Sequence, residues 1–213
     1  MLRQTPLYTQ HLSAQGRMVD FAGWALPVQY SSQLQEHKTV RHSAGMFDVS
    51  HMQIIDIVGK DAQAFLLHCL SNDVRRTKTP GKAIYSCLLN DLGGVIDDLI
   101  VYFFNETQYR LIVNAACAEK DILWLNTQKI QFSTRLATAQ NNIHRTIQAN
   151  PIDLEILPKT NWSLIAVQGP EAIAKMAQAM PIWADQLATL GRFTAFDCET
   201  THAMVARTGY TGE

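Results

Sequence analysis

The stretch KAIYSCLLNDLGGVIDDLIVYFFNETQYRLIVNA, residues 82–115, decides the fold. It holds three apolar runs of strand length, KAIYSCLLN, VIDDLIVYFF and QYRLIVNA. Between them lie NDLGG and NETQ, which carry the Asn, Asp and Gly of tight turns. Runs of this kind joined by such short links predict an antiparallel meander. In a strand, neighbouring side chains point to opposite faces. The middle run therefore places Val95, Asp97, Leu99, Val101 and Phe103 on one face, and Ile96, Asp98, Ile100, Tyr102 and Phe104 on the other. Both faces are apolar, which predicts a strand covered on both sides. Each face also receives one carboxylate, and a buried carboxylate requires a partner, a solvated cavity or a proton. Either aspartate can be a partly wet strand-end residue bonded to the backbone, or can line a ligand cavity. Alternation does not choose between Asp97 and Asp98.

Working outward, SSQLQEHKTVRHSAG ahead of the meander reads as a helix. Ser32 and Gln35 fit a capping box and Gly45 a C-terminal stop. GMFDVS and QIIDIVG read as strands, and Asp61 as the cap of the helix DAQAFLLHCL. Residues 1–30 contain the breakers Pro6, Gly16, Gly23 and Pro27 and read as irregular. Beyond the meander, AEKDILWLNTQ is a helix. QNNIHRTIQANP lacks a clean period and reads as a surface excursion within 131–160. SLIAVQG is a strand leading into the helix GPEAIAKMAQAM, with Pro170 in its first turn. RFTAF and HAMVARTG are strand-like. Mixed segments with hairpin links predict an α+β fold with largely antiparallel sheets and flanking helices.

Composition narrows the function classes. The 213 residues are 47% hydrophobic and 17% charged, a globular balance able to fill a core. The net charge of -1 offers no basic excess for nucleic acid or an anionic membrane. No apolar run approaches the ~20 residues of a membrane span, and MLRQTPLYTQ lacks the pattern of a secretory signal. Cys69, Cys87, Cys117 and Cys198 form no CxxC pair. Three of them sit in apolar segments, as expected in a reduced, cytoplasmic compartment.

The other candidate sites carry less. GYTGE at 209–213 is a Gly-bracketed aromatic, and most such runs are turns. No phosphate-binding glycine motif is present. His51 in VSHMQ is a possible ligand or base, although an isolated His between strands is usually a hydrogen-bonded structural residue. Read as strand neighbours, Ser50 and His51 face opposite ways and cannot form a nucleophile–base pair. The remaining histidines show no metal spacing, so no metal is expected. Met52 adjoins His51 at a strand entry.

Several stretches match one family together: TPLY at 5–8, MVDFAGW at 18–24, GMFDVSHM at 45–52, GKAIYS at 81–86, GGVIDDLIVY at 93–102, VNAA at 113–116, EKD at 119–121, AVQGP at 166–170 and RTGYTGE at 207–213. In this order the chain resembles the aminomethyltransferase, or T-protein, of the glycine cleavage system over nearly its whole length. The resemblance implies a folate-binding region over 1–213. It implies transfer of an aminomethyl group from the lipoyl arm of the H-protein to tetrahydrofolate, forming 5,10-methylenetetrahydrofolate and ammonia. It implies that Asp98, the second of the pair, is the essential aspartate. By the same carry-over, Met52, Tyr85, Ile100, Asn114 and Tyr210 are expected to line the folate cavity.

Two departures accompany the resemblance. Residues 131–160 look longer than the family needs, which predicts an inserted surface loop. Family members are also considerably longer. Their pterin-clamping glutamate lies beyond GYTGE, so Glu213 is not that residue, and a folate-holding arginine and a C-terminal barrel domain lie further on. The chain is accordingly expected to be a C-terminally truncated T-protein carrying the first half of the site, with little or no activity. Competing readings are a non-catalytic folate-binding relative, a folate-dependent demethylase relative, and an inert fragment that keeps only protein contacts. The first carries a Cys-containing signature that GYTGE lacks.

Overall fold

The computed structural model describes residues 1–143 and 151–208. Its N-terminal stretch is more regular than the breakers predict. It forms β1 (Arg3–Gln4), α1 (Tyr8–Ser13), β2 (Met18–Phe21) and β3 (Trp24–Pro27), the strands ordered β1-β3-β2 in one sheet. The breakers stand at junctions: Gly23 turns β2 into β3 with its N–H on Asp20 Oδ1 (2.9 Å), and Pro27 ends β3. Next comes α2 (Gln33–His42), where Ser32 accepts the Gln35 N–H as expected of an N-cap. The reciprocal half of the box differs. Glu36, not Gln35, reaches back, and its Oε1 accepts from the N–H groups of Tyr30 (2.8 Å) and Ser31 (2.6 Å). Gly45 does not stop this helix, which ends at Ser43. It opens β4 (Gly45–Asp48), where a Cβ would meet Val40 Cγ2 at 2.5 Å, so the close approach of helix and strand requires glycine.

The chain divides into two compact units, Met1–Met52 with Asn161–Glu213, and Gln53–Thr160. The second contains β5 (Gln53–Val58), α3 (Ala62–Cys69), β6 (Ala83–Leu89), β7 (Val95–Asn105), β8 (Gln108–Val113), α4 (Ala118–Ile143) and β9 (Glu155–Pro158). Its strands form a five-stranded sheet ordered β6-β7-β8-β5-β9, antiparallel at every pairing. The expected meander is β6–β7–β8. Its first turn is built by Asn90, whose Oδ1 accepts from Leu92 N (3.0 Å) and Gly94 N (2.8 Å) while Gly93 takes φ +80°. Asn105 Oδ1 does the same for Thr107 N (2.9 Å) in the second turn.

One face of this sheet is the core. Leu99, Val101 and Phe103 of β7 pack with Tyr109, Leu111 and Val113 of β8, Ile55 and Ile57 of β5, Phe65 and Leu66 of α3, and Leu125 of α4. Burying a side chain of this size contributes about 1.5–3 kcal/mol. The opposite face is not uniformly covered, against the expectation for β7. Tyr102 is buried, Ile100 and Phe104 are half-buried, and Asp98 is exposed.

Two further readings change. The excursion expected within 131–160 is largely ordered: α4 runs through Ile143, and Glu155–Pro158 pairs with β5. Residues 144–150 lie outside the described residues. Asp61 precedes α3 but makes no cap bond; its carboxylate accepts from Asp153 N (2.9 Å).

The first unit resumes with β10 (Ile165–Gln168) against β4, then α5 (Ala172–Ala179), α6 (Ala184–Thr189) and the hairpin β11 (Thr194–Cys198)–β12 (Ala203–Arg207). Pro170 stands just ahead of the N-cap Glu171 rather than in the first turn of α5. The expected α+β class with largely antiparallel sheets and flanking helices holds.

Candidate functional site

Strand pairing gathers four of the residues singled out by the sequence. Tyr85 of β6 lies opposite Ile100 of β7, which lies opposite Ile112 of β8. Asp98 and Asn114 follow two residues along on the same face, so Tyr85, Asp98, Ile100 and Asn114 share one end of it. Tyr85 OH donates to Asp98 Oδ2 at 2.8 Å, and Asn114 Nδ2 lies 3.0 Å from Asp98 O and 3.4 Å from Asp98 Oδ1. The bond to Asp98 is the main reason the Tyr85 phenol titrates above its ordinary range. Tyr85 is 50% exposed and Asp98 is exposed, so a carboxyl group that accepts from one phenol stands open beside the half-buried Ile100. Such a group can accept hydrogen bonds from a ligand's amines and stabilise positive charge.

Asp97 faces the other way and is 7% exposed. Its Oδ2 accepts from Asn114 N (3.2 Å) and its Oδ1 from Asn114 Nδ2 (3.0 Å). Burial pulls its pKa up, but bonds from Asn114, Asp121 and the Asp98 backbone outweigh burial, and the net shift is down. The strand is irregular here. Leu88 pairs with Asp97 and Leu89 with Val95, leaving Ile96 unpaired. Lys120 Nζ, in the first turn of α4, donates to the Ile96 carbonyl at 2.8 Å. A bulge that re-aims side chains thus adjoins both aspartates.

Asp121 is a residue the sequence reading did not single out. It is fully buried in the first turn of α4. Burial, and then a hydrogen bond and charge repulsion from Asp97, push its pKa up to about 7. The signal was present: Ala118, Asp121, Leu125, Gln128 and Phe132 follow helical spacing, so a carboxylate lies within the inward stripe.

Met52 and Tyr210 are not among the residues that this strand pairing gathers. Met52 belongs to the other compact unit, where its N–H closes a turn onto Val49 O (3.0 Å). Tyr210 lies outside the described residues. Ser50 and His51 sit in that turn and are not strand neighbours. His51 is 9% exposed, its Nδ1 is buried with no hydrogen-bond partner among the described residues, and its ring meets Phe21 edge-on at 5.4 Å. Burial lowers its pKa. In the same unit Asp48 accepts from Thr5 Oγ1 and Ser50 N and pairs with His11 Nε2 (2.9 Å), while His11 Nδ1 meets Tyr30 OH (2.7 Å). Among the described residues no group of three or more His, Cys, Asp or Glu could hold a metal ion, and no helix is long and apolar enough to cross a membrane.

Comparison with known proteins agrees with the sequence resemblance. The family model "GCVT N-terminal domain" matches residues 7–213. An aminomethyltransferase of Bordetella avium is 50% identical over 212 residues, covering 100% of this chain and 53% of that protein. One from Burkholderia mallei is 44% identical over 216 residues, with the same coverage. The crystal structure of glycine cleavage system aminomethyltransferase T from Bartonella henselae superposes with a TM-score of 0.79 at 31% identity, covering 100% of this chain and 52% of that one. The chain spans about half the length of the curated relatives it matches. It belongs to the GCVT N-terminal domain family, that of the glycine cleavage aminomethyltransferases.

Proposed function

We infer that residues 1–213 form a T-protein-like folate-binding region that serves aminomethyl transfer in glycine cleavage. The donor is the aminomethyl group on the lipoyl arm of the H-protein. The acceptor is tetrahydrofolate, and the products are 5,10-methylenetetrahydrofolate, ammonia and the dihydrolipoyl H-protein. The reaction belongs to the cytoplasm and uses no metal. The observation that carries the reading is the convergence of Tyr85, Asp98 and Asn114 at one end of a sheet face, with the Asp98 carboxylate exposed.

The residues suit the ligand. Tetrahydrofolate supplies the ring nitrogen that takes the one-carbon unit. Asp98 accepts from the folate amines, orients them and stabilises positive charge as ammonia leaves. Tyr85 holds Asp98 in place through Oδ2. Ile100 offers apolar surface to a flat ring. Met52 and Tyr210 are assigned to the folate lining by the sequence resemblance alone. As an acid–base aid Asp98 is worth roughly 10²–10⁴-fold.

Calorimetric titration of the chain with tetrahydrofolate tests this, with Asp98→Asn alongside. Binding that is lost or much weakened in the variant is the expected result. Equal binding by both proteins would remove Asp98 from the site, and no binding by the folded wild-type chain would remove the folate site from this region.

A further inference from the structure

Asn114 bridges the two aspartates of β7. Its Nδ2 is turned towards Asp97 Oδ1 (3.0 Å), Asp98 O (3.0 Å) and Asp98 Oδ1 (3.4 Å). These acceptors leave no place for the amide oxygen on that side. The amide is therefore held nitrogen-first by Asp97, and Asp97 itself must be held. It is buried, and among the described residues no cation forms an ion pair with it. Lys120, in the first turn of α4, donates instead to Ile96 O (2.8 Å) and Cys117 Sγ (3.5 Å).

Beside Asp97 stands Asp121, fully buried on the inward face of α4 and close enough that each carboxyl shifts the titration of the other. As a carboxylate, Asp121 has no donor among the described residues for either oxygen. Two carboxylates cannot bond each other. A buried, undonated carboxylate is too costly to persist, so Asp121 carries a proton and gives a hydrogen bond.

We propose that Asp121 is a positioning residue: its protonated carboxyl donates to Asp97, and this bond holds Asn114 with its amide nitrogen facing Asp98. The chain of contacts runs from α4 through β7 to the end of β8 and back to the exposed carboxylate. The proposal rests on the role assigned to Asp98 above. The groups that face this pair are Asp98 from β7, Tyr85 from β6, and Cys117 and Lys120 around the start of α4; His68 of α3 is held by Gln128 further along the same helix (2.9 Å). Loss of the Asp121 proton would remove a donor from Asp97 and set a second negative charge beside it. Asn114 would then shift, and with it the bond to Asp98.

The test is first made without ligand. Side-chain amide resonances of Asn114 are followed by NMR across neutral pH in wild type, Asp121→Asn and Asp121→Ala. The expected result is that they move in wild type with a midpoint near the Asp121 value of about 7. They should keep the low-pH position without titrating in Asp121→Asn, which retains a donor, and be displaced at all pH values in Asp121→Ala. Resonances that ignore Asp121 in all three proteins overturn the proposal, as does an Asp121 carboxyl that titrates in the ordinary carboxylate range. Tetrahydrofolate titration of the same proteins gives a second readout. Affinity should fall on the order of tenfold in Asp121→Ala, the scale of one lost hydrogen bond, and recover in Asp121→Asn. A wild-type chain that binds no tetrahydrofolate breaks the folate reading, and the amide resonances still decide the positioning role.

Discussion

Asp56 and Asp97 are both buried in the five-stranded sheet, at 3% and 7% exposure, and the protein compensates them in opposite ways. Asp56, on β5, is met by cations. Arg110 of β8, directly opposite, donates Nε to Oδ1 at 2.7 Å and a terminal nitrogen to Oδ2 at 3.0 Å, and Lys159 Nζ lies 3.1 Å from Oδ2. Asp97, on β7, is met by neutral donors: the backbone and side-chain N–H of Asn114, and the Asp121 carboxyl. A carboxylate held in two bonds by a facing guanidinium makes a rigid joint. A carboxylate held by amides and one protonated acid stays adjustable. The adjustable arrangement lies beside the exposed Asp98.

The largest expected effect breaks the first arrangement. Asp56→Ala leaves Arg110, only 6% exposed, without its bidentate partner. Removing one member of a buried ion pair costs about 3–5 kcal/mol. Urea unfolding at neutral pH measures it, and a loss below about 1 kcal/mol would show that the pair is already solvated. Replacing Arg110 by Met in the same protein should recover much of the loss, because the uncompensated charge and not the missing bond is the larger cost.

Asp97→Ala should cost less, about 1–3 kcal/mol, since it strands only neutral donors on Asn114 and Asp121. A loss as large as that of Asp56→Ala would mean that a charge is uncovered there too, and the contrast would fail.

The third prediction sharpens the contrast through pH. Asp121 titrates near 7 in the fold and near the ordinary 3.8 in the unfolded chain. Between these values the folded state binds the extra proton, so raising pH favours unfolding. The stability from this group is therefore full below about pH 4 and is lost as pH rises through about 7. One such group gives a slope of at most about 1.4 kcal/mol per pH unit. The stability of wild type relative to Asp121→Asn should decline across this window and level off above it. A difference that stays flat with pH would mean that Asp121 is ionised throughout. The Asp97 shift has the opposite sign and acts at the acid end, where stability is lost as pH falls through its depressed value.

The two arrangements differ in how readily the sequence reveals them. The meander was legible because VIDDLIVYFF and its neighbours alternate between Asn-containing turns, and such signals are local. The cap at Ser32 was legible for the same reason. The cap read at Asp61 was not, because its carboxylate serves Asp153, distant in the chain. QNNIHRTIQANP hid the end of α4 because a mostly polar helix has no stripe to count. Asp97 and Asp98 were visible as a pair, and alternation placed them on opposite faces, but only pairing with β6 and β8 shows which one is open. Asp121 went unread because EKD in a first helical turn looks like ordinary charge placement. Its burial follows from the Leu125 stripe beneath it. Residues 209–213, with Tyr210, lie outside the described part of the chain, so the expectation for Tyr210 rests on the sequence.

The smallest expected effect on stability separates holding the site from holding the fold. Tyr85 OH donates to Asp98 at the exposed end of the sheet, where solvent can replace either partner. Tyr85→Phe should leave urea unfolding unchanged within error, while Asp97→Ala, one strand away on the covered face, shifts it. For tetrahydrofolate the order reverses if Asp98 meets the ligand. Tyr85→Phe frees Oδ2 from its donor and widens the range of orientations of Asp98, so affinity falls although stability does not. A Tyr85→Phe protein that loses stability and keeps its affinity would place this phenol with the structural contacts. The exposed end of the face would then be as rigid in purpose as the Asp56–Arg110 joint, and the division between a fixed and an adjustable carboxylate would no longer follow the division between fold and site.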